Sequence, residues 1–362
     1  MRDVVRILLL ADTHLGFDLP VQPRVRRRRR GHDFLANYEA ALRPALDRRV
    51  DLIVHGGDVF HRSHPPSTVA FQAFEPLTRA ADAGVPVYIV PGNHERGRLP
   101  HLRFAQHPDI RIFDTPRTYV ADVRGVRIAL AGFPSERDDV RNKFPDLLAQ
   151  TGWRDVAAQA TLLCAHQCVE GATVGPADFT FTTAADVIRC RDLPSDLTGV
   201  LSGHIHRHQV LTRDLRGRPL AAPVLYPGSI ERTSIAEADE AKGYMIVEVA
   251  LDHDGAQLNW EFVELPARPL VVRDLTLTGA ADDEAELRIA AMIREVPTDA
   301  VLTIRVTGDA PVESLRLPSA ARLRDLAPET MNVELRVPGR IAGRPRPPGS
   351  HAEPVLELPL GL

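Results

Sequence analysis

Eight polar residues stand out by type and spacing: Asp12, His14, Asp58, Asn93, His94, His166, His204 and His206. They fall in five short blocks, Asp12-x-His14, Gly56-Gly57-Asp58-x-x-His61, Gly92-Asn93-His94-Glu95, His166 alone, and Gly203-His204-x-His206. Carboxylate, carboxamide and imidazole donors without thiolate suit manganese, iron or zinc rather than a cysteine-rich structural zinc site. Seven of the eight are candidate ligands, which is too many for one ion of ordinary coordination number. They fit two ions sharing one carboxylate, and a pair ~3.5–4 Å apart is the arrangement that serves in-line attack on phosphate esters. In an extended Asp-x-His or His-x-His segment alternate residues face one side, so both members of a pair reach one cluster. Gly57 and Gly92 are expected to let the backbone turn tightly before Asp58 and Asn93. Taken singly each block is weak; five in succession, each closing a strand-like run, are not what satisfied core histidines would give.

The elements that must position these residues are short apolar runs bounded by Gly and Pro, the pattern of strands buried on both faces. Val4–Leu10, Asp51–Val54, Val85–Val90, Thr161–Cys164 and Gly199–Leu201 each stop at one of the polar blocks. Helix-like stretches lie between them at Asp33–Arg49 and Ser67–Ala83, the second with Ser67 as N-cap and Gly84 as its stop. Strand and helix in alternation predict an α/β core with ligands at the carboxyl ends of the strands. After Gly203 the strands shorten: Gln209–Thr212, Leu220–Tyr226, Tyr244–Leu251 and Leu258–Glu264. Two prolines in Pro266–Pro269 mark a boundary. A separate β-α-β-α-β reading follows in Leu270–Leu277, Asp282–Val296, Ala300–Thr307, Val312–Leu326 and Met331–Val337. The expected domains are therefore 1–265 and 266–337, with a Pro- and Gly-rich, poorly ordered tail over 338–362. The stretch Asp138–Gly152 receives no function.

The 362 residues carry 44 Lys+Arg against 48 Asp+Glu, a formal net charge of −4. That excludes a globally basic nucleic-acid coat, so any basic site must be a local patch. One candidate is the run Arg24, Arg26, Arg27, Arg28, Arg29 and Arg30, which reads either as a phosphate-gripping loop or as a solvated loop in an arginine-rich chain. No stretch approaches the ~20 apolar residues of a membrane span, and the N-terminus lacks the apolar core of a signal peptide. Three cysteines build no disulfide framework, and Cys164 and Cys168, which flank His166, read as small hydrophobes. The composition predicts a soluble, cytoplasmic protein.

The order Asp-x-His, Gly-Gly-Asp-x-x-His, Gly-Asn-His-Glu, His, Gly-His-x-His resembles that of the calcineurin-like metallophosphoesterases, over about residues 4–264. The resemblance implies a four-layer α/β/β/α sandwich of two mixed sheets. It also implies one metal on Asp12, His14, Asp58 and His206, and a second on Asp58, Asn93, His166 and His204, with Asp58 bridging. Gly57-Asp58-Val59-Phe60-His61, Tyr226-Pro227-Gly228-Ser229-Ile230-Glu231-Arg232, and the arginine-bearing insert before Gly31-His32-Asp33 resemble the SbcD-type DNA-repair exonucleases. Membership of that group implies a manganese-dependent nuclease, cutting duplex ends as an exonuclease and single strands as an endonuclease. It implies as well that the C-terminal module is a small α/β capping domain, that the chain forms a homodimer, and that it pairs with an SbcC-type coiled-coil ATPase. His94, beside a ligand but not one itself, is the candidate general acid, and His61 the residue that orients His94 or the phosphate.

Two features depart from that group. The module Leu270–Val337 has 8 Arg against 12 acids, and Pro338–Leu362 offers only Ala352–Leu360 as an apolar docking strip. A phosphohydrolase of a nucleotide or small phosphodiester, or a DNA-end scaffold with structural metals, are the alternative functions.

Overall fold

The first strand, Val4–Leu10 (β1), is apolar at nearly every position because both of its faces are covered. Val5, Ile7 and Leu9 pack into a core between two sheets, while Leu8 and Leu10 pack under helices. This computed structural model describes residues 4–18, 27–253, 255–277, 282–308 and 317–337. The chain divides between Pro269 and Leu270 into two compact units.

In the first unit, β1 is joined in parallel by β2 (Leu52–His55), β3 (Val87–Ile89) and β4 (Ile110–Ile112). A second sheet contains β5 (Arg117–Val123), β6 (Val126–Gly132) and β7 (Ala160–His166). Two short pairs follow in the chain, β8 (Cys168–Val169) with β11 (Val187–Ile188) and β9 (Thr173–Val174) with β10 (Phe179–Thr180). The chain then returns to the second sheet with β12 (Gly199–Gly203), β13 (Gln209–Arg213) and β14 (Pro219–Tyr226). It ends in the first sheet with the antiparallel strands β15 (Gly243–Asp252) and β16 (Gly255–Glu264). The sheet orders are β16-β15-β1-β2-β3-β4 and β13-β14-β12-β7-β6-β5.

Four layers result from how the apolar residues divide. Alternate residues of both sheets, among them Leu52, Val54, Leu162, Cys164, Leu201 and Val247, meet in one intersheet core. The outer face of the first sheet is covered by α1 (Arg30–Leu46) and α2 (Ser67–Asp82), through Phe34, Tyr38, Phe74 and Leu77. The outer face of the second carries α3 (Val140–Gln150), whose Val140, Phe144 and Leu148 pack on Leu163 and Ala165. The otherwise unassigned stretch Asp138–Gly152 thus supplies the fourth layer. Two helix boundaries differ from expectation. The first helix starts at Arg30 rather than Asp33 and ends at Leu46, where Arg48 takes a left-handed backbone (φ 54°). Pro66 holds the N-cap position of α2, so Ser67 is its first helical residue and makes no capping bond.

Registers place the working ends of the strands level with one another. Leu10 pairs with His55, His55 with Ile89, and His166 with Gly203. The polar blocks that follow these strands are therefore delivered to one edge of the sandwich.

The second unit is β17 (Leu270–Thr276), α4 (Asp282–Arg294), β18 (Val301–Thr307), α5 (Ala320–Leu326) and β19 (Asn332–Arg336). Its parallel sheet runs β17-β18-β19 around a core of Leu275, Ile289, Leu302, Ile304 and Leu323. The expected tail 338–362, including Ala352–Leu360, lies outside the described residues, as do the first residues of the helix expected at Val312.

Candidate metal centre

All seven ligand candidates come together in one continuous chain of donors. His14 Nε2 lies 3.0 Å from His206 Nε2, and His206 Nε2 lies 3.8 Å from Asp12 Oδ1. Asp58 Oδ2 is 4.0 Å from His14 Nε2 on one side and 3.4 Å from His166 Nε2 on the other. Asn93 Oδ1 then lies 2.8 Å from His166 Nε2 and 3.0 Å from His204 Nδ1. Asp12, His14 and His206 form one group whose donor atoms lie within 4.8 Å of one another, and Asp12, Asp58 and His166 form another. The blocks on the first sheet give Asp12, His14, Asp58 and Asn93; those on the second give His166, His204 and His206.

The backbone reaches this arrangement differently from the sequence expectation. Asp12, His14 and His204 are not in extended segments: their φ values are 50°, 42° and 85°, and Asp58 has φ 53°. Two cross-loop hydrogen bonds, Asp12 N–H to Gly57 O at 2.9 Å and His14 N–H to Asp58 O at 3.0 Å, hold the turned backbone. Asp and His tolerate the left-handed region better than most side chains, and such conformations persist where surrounding contacts over-determine them. Gly57 does turn, with φ 101°. Gly92 serves closeness instead, because a Cβ there would sit 2.1 Å from Asp58 Oδ1.

Hydrogen bonds around the cluster decide which ring nitrogens face it. His166 Nδ1 donates to the Gly56 carbonyl at 2.7 Å, so Nε2 points to Asp58 and Asn93. His206 Nδ1 is held by Glu237 Oε1 at 3.2 Å and Thr233 Oγ1 at 3.1 Å, which turns its Nε2 inward. His204 N–H donates to both oxygens of Asp12 at 3.1 Å. Glu95, fully enclosed, accepts from the N–H groups of Gly92 (2.8 Å), Asp58 (3.1 Å) and Phe60 (2.7 Å) and so ties two ligand turns together. His94 N–H donates to Asp58 Oδ1 at 2.8 Å, and its Nδ1 donates to the His61 carbonyl at 2.8 Å, leaving Nε2 3.9 Å from Asp58 Oδ2. His61 holds His94 through its main-chain carbonyl, and one ring nitrogen each of His14, His61 and His94 lies within 4.8 Å of the others.

Electrostatics follow from this crowding. Burial works against charge on Asp58, yet His166 and His14 outweigh it and hold the carboxyl well below the usual range. Burial likewise opposes charge on His166, but Asp58 and Asp12 win and push the ring up to about 9. Burial beside His166 drives His204 down to about 3, and burial near His94 takes His61 to about 4, so both rings are neutral. Burial and the charge of Asp58 push Glu95 up to about 8 against its N–H donors. The donor set fits divalent cations: lone pairs of Asn93 Oδ1, Asp58 Oδ2 and His166 Nε2 converge, and only a proton or a cation satisfies them together.

The sequence from 5 to 208 matches the profile of the calcineurin-like phosphoesterase family. The chain belongs to this family. Among its relatives is the DNA double-strand break repair protein Mre11 of Methanosarcina mazei, 27% identical over 315 residues, covering 84% of this chain and 45% of that protein. The Mre11 of Haloferax volcanii is 29% identical over 316 residues, 84% of this chain and 62% of the relative. The D component of the SbcCD nuclease of Bacillus subtilis is 26% identical over 294 residues, 74% of this chain and 71% of its own length. The chain thus spans from less than half to just over two thirds of these relatives. No described helix is long and apolar enough to cross a membrane.

For a member of this family the arginine insert has an unexpected place. Arg24 and Arg26 lie outside the described residues. Arg28 pairs with Asp33 at 2.8 Å, Arg29 with Asp18, and Arg30 with Asp33 at 3.7 Å and Glu231 at 3.3 Å. Arg268 joins the same Asp33 carboxylate at 2.9 Å. Of these, Arg30 reaches the segment after β14, at Glu231; Arg28 and Arg29 pair within the insert and the start of α1. Four further arginines are exposed near these blocks in the chain: Arg62 follows His61, Arg96 and Arg98 follow His94, and Arg137 Nη2 donates to the Asn93 carbonyl at 2.7 Å. Glu95, Glu237 and these four arginines receive no role from the sequence. Glu95 alone had a local signal, its place in the Gly-Asn-His-Glu block.

Proposed function

We propose that the chain is a DNA nuclease that hydrolyses phosphodiesters at a dinuclear metal centre, with manganese as the working ion. The observation that carries this reading is the convergence of seven donors with His94 beside them, in a chain whose relatives are named as DNA repair proteins and a nuclease component. In this reading Asp12, His14, Asp58 and His206 hold one ion and Asp58, Asn93, His166 and His204 the other. Two such ions supply Lewis acidity to the phosphate and lower the pKa of water toward ~7. The chain's own groups do the rest. Asp58 keeps the two halves at a fixed distance, and Glu95 fixes the turns that carry Asp58 and Asn93. His94, its Nδ1–H committed to the His61 carbonyl, donates a proton from Nε2 to the leaving sugar oxygen. Arg62, Arg96, Arg98 and Arg137 offer guanidinium groups to the flanking phosphates. Exonuclease action on duplex ends, endonuclease action on single strands, and association with an SbcC-type ATPase belong to the same proposal.

The test is manganese-dependent digestion of end-labelled duplex and single-stranded DNA, with Asp58→Ala as control. Cleavage by the wild type and none by the variant supports the reading. Turnover of nucleotide phosphodiesters with no action on either DNA would assign the site to small substrates.

A further inference from the structure

The chain carries 44 cationic side chains, and only Lys143 and Lys242 among them are lysine. Lys143 is exposed, whereas Lys242 is 1% exposed. The Lys242 ammonium has three acceptors: Glu237 Oε2 at 2.7 Å, Glu240 Oε2 at 2.9 Å and the main-chain carbonyl of His206 at 2.8 Å. A compact ammonium can aim three protons at three separate acceptors, which the flat fork of an arginine does not do. The second oxygen of Glu237, Oε1, accepts from Thr233 Oγ1 at 2.6 Å and faces His206 Nδ1 at 3.2 Å. Lys242 therefore grips His206 at two points, directly at its carbonyl and through Glu237 at its ring.

We propose that Glu237 and Lys242 are positioning residues for one half of the metal centre. Glu237 keeps the His206 proton on Nδ1 and so presents Nε2 toward Asp12 and His14; Lys242 locks Glu237 and the His206 main chain into one unit. The other half is built differently, since the Nδ1 of His166 is held by the Gly56 carbonyl rather than by a carboxylate relay. The clamp is therefore one-sided, and its loss acts on the Asp12–His14–His206 half alone. This inference rests on the dinuclear reading above.

The experiment is a stepwise Mn2+ titration of metal-free protein by calorimetry, with bound ions counted by electron paramagnetic resonance, for wild type, Glu237→Gln and Lys242→Met. The melting temperature of each metal-free protein is recorded alongside. Two binding steps are expected in the wild type, and in each variant one step weakens about 10- to 100-fold while the other is unchanged. Glu237→Gln is nearly isosteric, so it decides the matter if Lys242→Met does not fold. Wild-type affinity at both steps in folded Glu237→Gln overturns the inference and leaves the dinuclear reading intact. Equal weakening of both steps with a lowered melting temperature also overturns it, because that is the mark of a merely structural role. A wild type that binds no Mn2+ overturns the dinuclear reading and this inference with it.

Discussion

Asp58 is the residue on which the others converge, touching the His94 main chain and facing His14, His94 and His166 with one carboxylate. His94 occupies a different position, close to that carboxylate but with its Nδ1 held by the His61 carbonyl, and in the proposed reading it is not a ligand. His94→Ala is expected to keep its metal content, measured by elemental analysis, while cleavage falls by roughly 10²- to 10⁴-fold, the usual contribution of a general acid. Lost metal with that loss of activity would make His94 a ligand instead. The Asp58–His166 pair gives a pH dependence with a definite sign. In the metal-free chain His166 is raised to about 9, above its ordinary 6.5, so the stability the pair contributes is full below 6.5 and disappears as pH rises through about 9. A cation must displace that proton, so Mn2+ affinity should rise between pH 6.5 and 9, with proton release visible as a buffer-dependent binding enthalpy at about pH 7. Buffer-independent enthalpy would contradict it.

At the scale of elements, the site is made by turns rather than by strands. β1 and β2 are ordinary buried strands; the unusual conformations begin just beyond them, at Asp12, His14, Gly57 and Asp58. Gly92 shows how tightly these turns are fitted, since a methyl group there would collide with Asp58 Oδ1 and the Asp58 main-chain nitrogen, at 2.1 and 2.3 Å. Gly92→Ala is expected to leave the far-ultraviolet circular dichroism unchanged while weakening Mn2+ binding by at least ~10-fold, as small displacements of ligand supports do; wild-type affinity in the variant would show that the turns have slack. The strands, both early helices and the five polar blocks were legible in the sequence because apolar period and residue chemistry are local properties. Glu237 was not, because its role depends on a carboxylate in the loop after β14 meeting a ring in the loop after β12. The arginine run shows the same limit: its charge is visible in sequence, but the placing of Asp18, Asp33 and Glu231 against Arg28, Arg29 and Arg30 is a property of the fold. Left-handed φ at Asp12 and His14 likewise leaves no local trace, and alternation along an extended segment was the wrong reason for placing both in the cluster.

For the first unit as a whole, the centre sits where two sheets end side by side, with donors from both. Asp12, His14, Asp58 and Asn93 follow strands of the first sheet, His166 ends a strand of the second and His204 and His206 follow one, so the intersheet core of Val54, Cys164 and Leu201 sets the span between the two groups of donors that would hold the ions. A net charge of −4 gives the whole chain no general attraction for DNA, so in the proposed reading binding would fall to Arg62, Arg96, Arg98 and Arg137 and to bound cations. The central claim is thus a statement about two cations at one carboxylate. Anomalous diffraction at the manganese edge from crystals grown with Mn2+ tests it most directly: two peaks ~3.5–4 Å apart, one on each side of Asp58, are predicted. A single peak, or none within reach of Asp58 in fully loaded crystals, would contradict the account.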